Sequence, residues 1–255
     1  MERINYFKHE LKNLLKEQNP NFKGLPSAGK TMLESVNKDG VIVVEEYWTA
    51  EQCAAARNTL DTLLETYKDQ AWKSEDGADQ RLFGAEKLDA TLAAFWEDEE
   101  LQALATAYEA RPNGMGFLMA NRIYATESNL GSGGGWHRDS AANHQFKAIL
   151  YLTDVAEENG PFQYIKGSHR AKTLVTDEVK FHFDQHQNRF TEEEIAPKLV
   201  KQPAERFTAK AGTLILVDTR GIHRGMPIQK GVRYAMTNYY LPHINSNFQN
   251  LLVQP

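Results

Sequence analysis

Past residue 116 the apolar residues fall into short runs of strand length, at 117–124, 147–153, 162–166, 213–217 and 232–241. This is the feature that most limits the fold. Runs of this length, separated by polar and Gly-containing stretches, read as strands and not as helices. Before them the spacing is helical. Leu60, Leu63, Leu64 and Tyr67 lie three or four residues apart. Helices first and antiparallel strands afterwards imply an α+β domain whose core is a β-sandwich or jelly roll.

In chain order, residues 3–17 place Ile4, Phe7, Leu11, Leu14 and Leu15 on one helical face. Residues 1–35 are thus expected as a helical extension. Gly24-Leu-Pro-Ser-Ala-Gly-Lys-Thr31 matches a phosphate-binding loop letter for letter. Such a loop needs a buried strand immediately before it. Glu17-Gln-Asn-Pro-Asn-Phe-Lys23 is no core strand, so a surface loop is expected. Residues 41–44 make a short strand. Thr49-Ala-Glu-Gln52 is a capping box that starts a helix. Residues 70–87 read as a polar loop anchored by Trp72 and Phe83, and 97–109 as a second helix ended by Arg111-Pro-Asn-Gly114. Residues 171–206 interrupt the strands. There Thr191-Glu-Glu-Glu194 looks like a helix start, and Pro197 and Pro203 look like breaks. An insertion of this length is expected to cover a binding site.

The 255 residues suit one domain. No apolar run exceeds five residues, so no membrane-spanning helix is expected. The N-terminus lacks the apolar stretch of a secretory signal, and the single cysteine, Cys53, suits a reducing cytoplasm. A net charge of −5 argues against a general nucleic-acid surface.

Chemistry concentrates in Gly-Ser-Gly-Gly-Gly-Trp-His-Arg-Asp-Ser (131–140). In an extended segment His137 and Asp139 point to the same face. They supply two members of a 2-His-1-carboxylate triad, the ligand set of non-haem Fe(II) oxygenases. The best third candidate is His223, just after the apolar run 214–217.

Four stretches together carry a resemblance: Gly-Trp-His-Arg-Asp-Ser (135–140), Tyr-Leu-Thr-Asp-Val-Ala-Glu-Glu-Asn-Gly-Pro-Phe (151–162), Gly-Ser-His (167–169) and Gly-Thr-Leu-Ile-Leu-Val-Asp-Thr-Arg-Gly-Ile-His-Arg-Gly (212–225). With Asp39-Gly-Val-Ile-Val-Val near the start, the chain resembles the phytanoyl-CoA dioxygenase family of Fe(II)/2-oxoglutarate oxygenases. The resemblance implies a double-stranded β-helix, a cupin-like jelly roll, with flanking N-terminal helices. It implies Fe(II) held by His137, Asp139 and His223, with 2-oxoglutarate and O2 as co-substrates. The expected activity is hydroxylation of a small organic substrate with release of succinate and CO2. Arg233 would grip the far carboxylate of 2-oxoglutarate, because a guanidinium binds a carboxylate through two parallel hydrogen bonds. Family members often place a hydroxyl residue two positions after the distal histidine, and this chain has Gly225 there. Thr237, on the strand face of Arg233, is the first substitute anchor, followed by Lys147 and Tyr151.

Other residues keep two readings open. His144 stands close enough to Asp139 to compete as a ligand. His169 belongs to a turn, and His182 and His186 have the spacing to face one another on a helix. All four read more simply as surface or packing residues. Arg122, Arg138, Arg170, Arg220 and Arg224 crowd the motif segments. They mark either an anionic substrate or ordinary ion pairing with acids such as Asp154 and Asp218. Asp139 argues against a halogenase, which leaves that coordination position to halide. The runner-up function is a non-catalytic, cupin-like binding protein. Sequence leaves the oligomeric state open.

Overall fold

The computed structural model describes residues 21–110, 115–184 and 186–255. The helix expected over 3–17 and the break at 111–114 lie outside them. Helix α1 (Ser27–Asp39) leads into strand β1 (Val41–Val44), and helix α2 (Ala50–Thr66) follows. The capping box at α2 forms as its sequence demands. The Thr49 hydroxyl accepts from the Gln52 amide, and the Gln52 side chain accepts from the Thr49 amide. Cys53 is fully buried on this helix.

Three expectations for the first half need correction. The phosphate-loop look-alike is not a surface loop throughout, because α1 already begins at Ser27. The Lys30 amide is committed to the Pro26 carbonyl and the Thr31 hydroxyl to the Ser27 carbonyl, so these groups make helix and no anion cradle. Residues 70–87 are not simply loop. They hold β2 (Trp72–Lys73) and β3 (Asp79–Phe83). Strand β3 was hidden because Asp79 and Arg81 alternate with Gln80 and Leu82, which masks its apolar character. An additional helix, α3 (Ala90–Trp96), precedes α4 (Glu99–Glu109). Asp98 separates the two by accepting from the amides of Glu100 and Leu101.

The second half supplies β4 (Gly116–Tyr124), β5 (Phe146–Tyr151), β6 (Phe162–Tyr164), α5 (Ala171–Phe181), α6 (Glu192–Lys201), β7 (Glu205–Phe207), β8 (Leu214–Asp218), β9 (His223–Gly225), β10 (Val232–Tyr240) and α7 (Ser246–Gln249). Seven strands form one antiparallel sheet in the order β1-β8-β5-β10-β4-β3-β2, and three form a second in the order β7-β6-β9. The large sheet sorts its side chains by alternation. Leu118, Ala120, Ala148, Leu150, Leu214, Leu216 and Met236 point outward and join Leu33, Leu60, Phe95 and Leu104 of the helices in the main core. Tyr151, Ile215, Val217 and Ala235 point inward and pack against Phe162, Tyr164 and Phe207 of the small sheet. The inner face therefore meets the small sheet on one side and a cavity on the other. Among the described residues no helix is long and apolar enough to cross a membrane.

The insertion differs from a featureless connection. Helices α5 and α6 are joined by the buried ion pair Asp177–Lys198 at 2.8 Å. Thr191 and Glu194 form the expected capping box. Pro197 lies inside α6 and does not end it. The box at the start and the buried Ile195 and Lys198 hold the helix against the one backbone hydrogen bond that proline removes. His182 caps the end of α5 in a left-handed conformation at φ 59°. It therefore shares no helix with His186, contrary to the expected facing pair.

Candidate active site

His137 and His223 are brought together by backbone pairing. Each amide donates to the other residue's carbonyl, at 2.9 and 2.8 Å. The two rings lie side by side, with centroids 4.2 Å apart. Asp139 is fixed by its own amide, which donates to the Thr219 carbonyl at 2.9 Å. One donor atom from each of His137, Asp139 and His223 lies within 4.8 Å of the other two.

The imidazoles are set up as neutral ligands. Nδ1 of His137 lies 2.8 Å from the Gly135 carbonyl, and Nδ1 of His223 lies 2.8 Å from the Gly221 carbonyl. A carbonyl only accepts, so each ring carries its proton on Nδ1 and offers the Nε2 lone pair. Burial lowers both pKa values, that of His223 to about 3 with help from the neighbouring His137. Burial works against ionisation of Asp139, but Lys147 and the two histidines outweigh it and hold the carboxyl below the usual carboxylate range. Two neutral nitrogens and one carboxylate at this spacing fit a divalent, borderline metal ion.

The glycine-rich loop has a steric task here. Gly133, at φ +87°, lies against the His137 ring, where any Cβ would collide with it. Gly225 meets the same loop from the other side. A Cβ on Gly225 would stand 2.9 Å from Cβ of Ser132. The missing hydroxyl at position 225 thus follows from how closely the loop passes, and Ser132 lines the cavity beside it.

A cavity of about 350 Å³ opens from the three ligand residues along the inner face of the large sheet. Arg233, Thr237, Lys147 and Tyr151 all line it, as does Asn121. Arg233 is 4 % exposed. Its Nη1 donates to the Gly160 carbonyl, while its buried Nε has no hydrogen-bond partner. Such an orphaned cationic donor fits an anionic guest. Lys147 points elsewhere. Its ammonium sits 2.7 Å from Asp139 and 3.7 Å from the centre of the Tyr239 ring. The Tyr151 hydroxyl donates to the Phe207 carbonyl at 3.2 Å and accepts from the Phe162 amide at 2.8 Å, so its one proton is already placed.

The remaining histidines stand apart from the triad. His144 pairs with the fully buried Asp218, which Tyr108 also contacts at 2.8 Å. Nε2 of His169 lies 3.1 Å from the Asn37 carbonyl. The crowded arginines do not reach the cavity either. Arg122 pairs with Asp61, Arg170 donates to the Lys38 carbonyl, and Arg220 donates to Ala141. Arg138 lies over Phe190 and Arg224 over Trp136. Asp154 pairs with Lys210. The cavity takes its extra cations from Arg81 and Arg189, which sequence reasoning did not single out. Alternation along Asp79-Gln-Arg-Leu-Phe83 was the available signal for Arg81. Arg189 had none, because it reaches the site by pairing with a distant segment.

The family model described as Phytanoyl-CoA dioxygenase (PhyH) matches residues 36–230. An ectoine dioxygenase of Halomonas elongata is 25% identical over 234 residues, spanning 82% of this chain and 69% of that protein. Among solved structures, the epimerase SnoN in complex with Fe3+, alpha ketoglutarate and nogalamycin RO superposes with a TM-score of 0.65 at 18% identity, covering 85% of this chain and 84% of its own. EctD from S. alaskensis with 2-oxoglutarate and 5-hydroxyectoine gives a TM-score of 0.65 at 17% identity, covering 87% and 80%. At these identities the structures show the shared fold, a double-stranded β-helix.

Proposed function

Because the chain belongs to the phytanoyl-CoA dioxygenase family, we propose that it is an Fe(II)- and 2-oxoglutarate-dependent dioxygenase that hydroxylates a small organic substrate. The observation that carries this reading is the convergence of His137, Asp139 and His223 at the end of a cavity that the buried Arg233 also lines. His137, Asp139 and His223 would hold the iron. Arg233 would bind the far carboxylate of 2-oxoglutarate through its unpartnered Nε edge. Thr237, four residues from Arg233, is the first hydroxyl residue along the same face of β10 and would assist.

Iron with 2-oxoglutarate and O2 supplies the oxidising equivalent that turns C–H into C–OH, and the co-substrate leaves as succinate and CO2. The protein's part is positioning and exclusion of water. The carbonyls of Gly135 and Gly221 keep both imidazoles in the ligating tautomer. Lys147 orients Asp139 and offsets its charge inside the cavity. Asp139 itself occupies the position that a halogenase would leave to halide. The segment 171–206 would cover this end of the cavity, which its Arg189 lines.

The same architecture serves an epimerase among the structures compared, so the test must read the product and not only turnover. With Fe(II), 2-oxoglutarate and a substrate panel, the protein is expected to form succinate in step with a product heavier by one oxygen atom. With ¹⁸O₂, the oxygen added to the product should be mainly ¹⁸O, and the second atom of each O₂ should enter succinate. Succinate without any oxygenated product would count against hydroxylation. Bound iron with no succinate under any condition would favour a binding protein.

A further inference from the structure

The cations that line the cavity differ in whether a carboxylate answers them. Lys147 is answered by Asp139 and Arg81 by Asp79. Arg233 and Arg189 have no carboxylate in ion-pair contact among the described residues. If the proposed function holds, the far carboxylate of 2-oxoglutarate answers Arg233. Arg189 is then the cation at the site left without a carboxylate among the described residues. It is exposed beside the cavity it lines, where the carboxylate of a ligand can reach it.

Arg189 is placed to receive it. It comes from the insertion, but it is not carried there loosely. The Arg138 amide donates to the Asn188 carbonyl at 2.8 Å and the Phe190 amide to the Trp136 carbonyl at 3.0 Å. Residues 188–190 thus lie alongside the segment that bears His137, and the Arg189 backbone pairs directly with that histidine. Phe190 is buried against Trp136, Phe183 and Ile195, which anchors this stretch. The Arg189 side chain turns back over the glycine-rich loop, and its Nη1 donates to the carbonyls of Gly133 and Gly134 at 2.8 and 3.3 Å. Those carbonyls hold the guanidinium without neutralising it. Arg189 also lines the groove of about 710 Å³ that opens beside the cavity. A guanidinium at the boundary of cavity and groove meets a ligand entering by that route. Part of the cavity lining is apolar, formed by Phe83, Met119, Phe248 and Leu251 of one cluster.

We propose that Arg189 determines substrate specificity by binding a carboxylate, and that the substrate is a small acid with an apolar or aromatic body. The proposal rests on the dioxygenase reading above. A single planar fork suits a carboxylate, which it can grip through two hydrogen bonds. Phe83, Met119, Phe248 and Leu251 give the body of the molecule an apolar wall to pack against.

The test uses the full chain with Fe(II), without oxygen and with 2-oxoglutarate at saturation, so that no acid can occupy the Arg233 end. Binding of phenylacetate, 3-phenylpropanoate and octanoate is compared by calorimetry with that of their primary amides. The expected result is at least one acid bound tenfold or more tightly than its amide. Arg189→Gln should bring acid and amide to within about twofold. Arg189→Lys, which keeps the charge, should restore part of the preference. Acids and amides that bind alike, acids that do not bind at all, or a preference that survives Arg189→Gln would each overturn the proposal. Failure of the unmodified protein to bind 2-oxoglutarate would be a separate result, overturning the dioxygenase reading and this one with it.

Discussion

The two walls of the cavity are built differently. One wall is the inner face of β5, β8 and β10, long strands in continuous register whose outer face is backed by helices α1 to α4. It carries Arg233 and Thr237. The other wall is short. It consists of β9, the segment around His137 paired with it, and residues 188–190 of the insertion beyond that. It is backed by a small core of Trp136, Ile165, Phe183, Phe190, Ile195 and Ile222. Two of the three metal-ligand candidates stand on this thinner wall, His223 on β9 and His137 on the segment paired with it. The difference suggests a division of labour. On the proposed reading a rigid sheet would fix one end of the co-substrate, while the metal end would be assembled from loops and short strands held by a few backbone hydrogen bonds. Elements with few buried contacts open at lower free energy than a sheet core.

The comparison is broken most severely at the thin wall. His223→Ala is expected to abolish tight iron binding and to lower 2-oxoglutarate turnover by at least about a hundredfold, since losing even a residue that only orients a metal ligand costs ~10–100-fold. The thick wall should survive, so far-ultraviolet circular dichroism should be close to that of the metal-free parent. Turnover at the parent's level would remove His223 from the ligand set.

On the thick wall the corresponding change is Arg233→Ala. It should weaken 2-oxoglutarate binding by roughly 2–5 kcal/mol, the usual effect of removing one partner of a buried charge pair. Iron binding should persist. The two variants together separate the ends of the site: one loses metal and co-substrate, the other co-substrate alone. Unchanged 2-oxoglutarate affinity in Arg233→Ala would transfer the clamp to another cation.

A smaller effect concerns the insertion. If it covers the cavity, amide exchange over residues 171–206 should slow when substrate binds, by about tenfold, or ~1.4 kcal/mol of local stability. The amides of β5 and β10 should change far less. Exchange in the insertion that ignores both 2-oxoglutarate and substrate would make it a structural cover only.

How much of this was legible in the sequence follows the same division. Strands β4, β5, β8 and β10 could be read because each is a run of apolar residues long enough to show itself, and their inner polar members, Arg233 and Thr237, then fell on one face by counting. His137 and Asp139 were legible from local spacing, and His223 from its place after β8. Arg189 was not legible, because its position depends on the Trp136 and Arg138 backbone pairing with residues far away in sequence. The arginine crowd misled for the opposite reason. Proximity to motifs in sequence did not bring those side chains into the cavity. Arg138 and Arg220 are buried, yet they serve packing and loop structure beside it.

The smallest expected effect also separates the walls, and it follows from the sign of the histidine shifts. In the folded, metal-free protein the pKa of His223 is about 3, against an ordinary value of 6.5. The unfolded chain therefore binds a proton at this residue below pH 6.5 while the folded chain refuses it. The stability tied to the neutral ring is fully present above pH 6.5 and is lost progressively as pH falls toward 3. Moving from pH 8 to pH 6 should cost roughly 0.8 kcal/mol from His223 alone, with His137 and His169 acting in the same direction. Carboxyls whose values are lowered, such as Asp139, contribute little in this range, while Asp177 and Glu86, whose values burial raises, act in the opposite direction, so the comparison of parent with variant is what isolates His223. Denaturation of chelator-treated protein at both pH values would measure the loss, and His223→Gln should make it smaller by about that amount. Arg233→Ala, on the other wall, removes no group that titrates in this window and should leave the difference as it was. An identical loss in parent and His223→Gln would mean that His223 is not held neutral by burial, and the argument for a preformed pair of neutral ligands would fail with it.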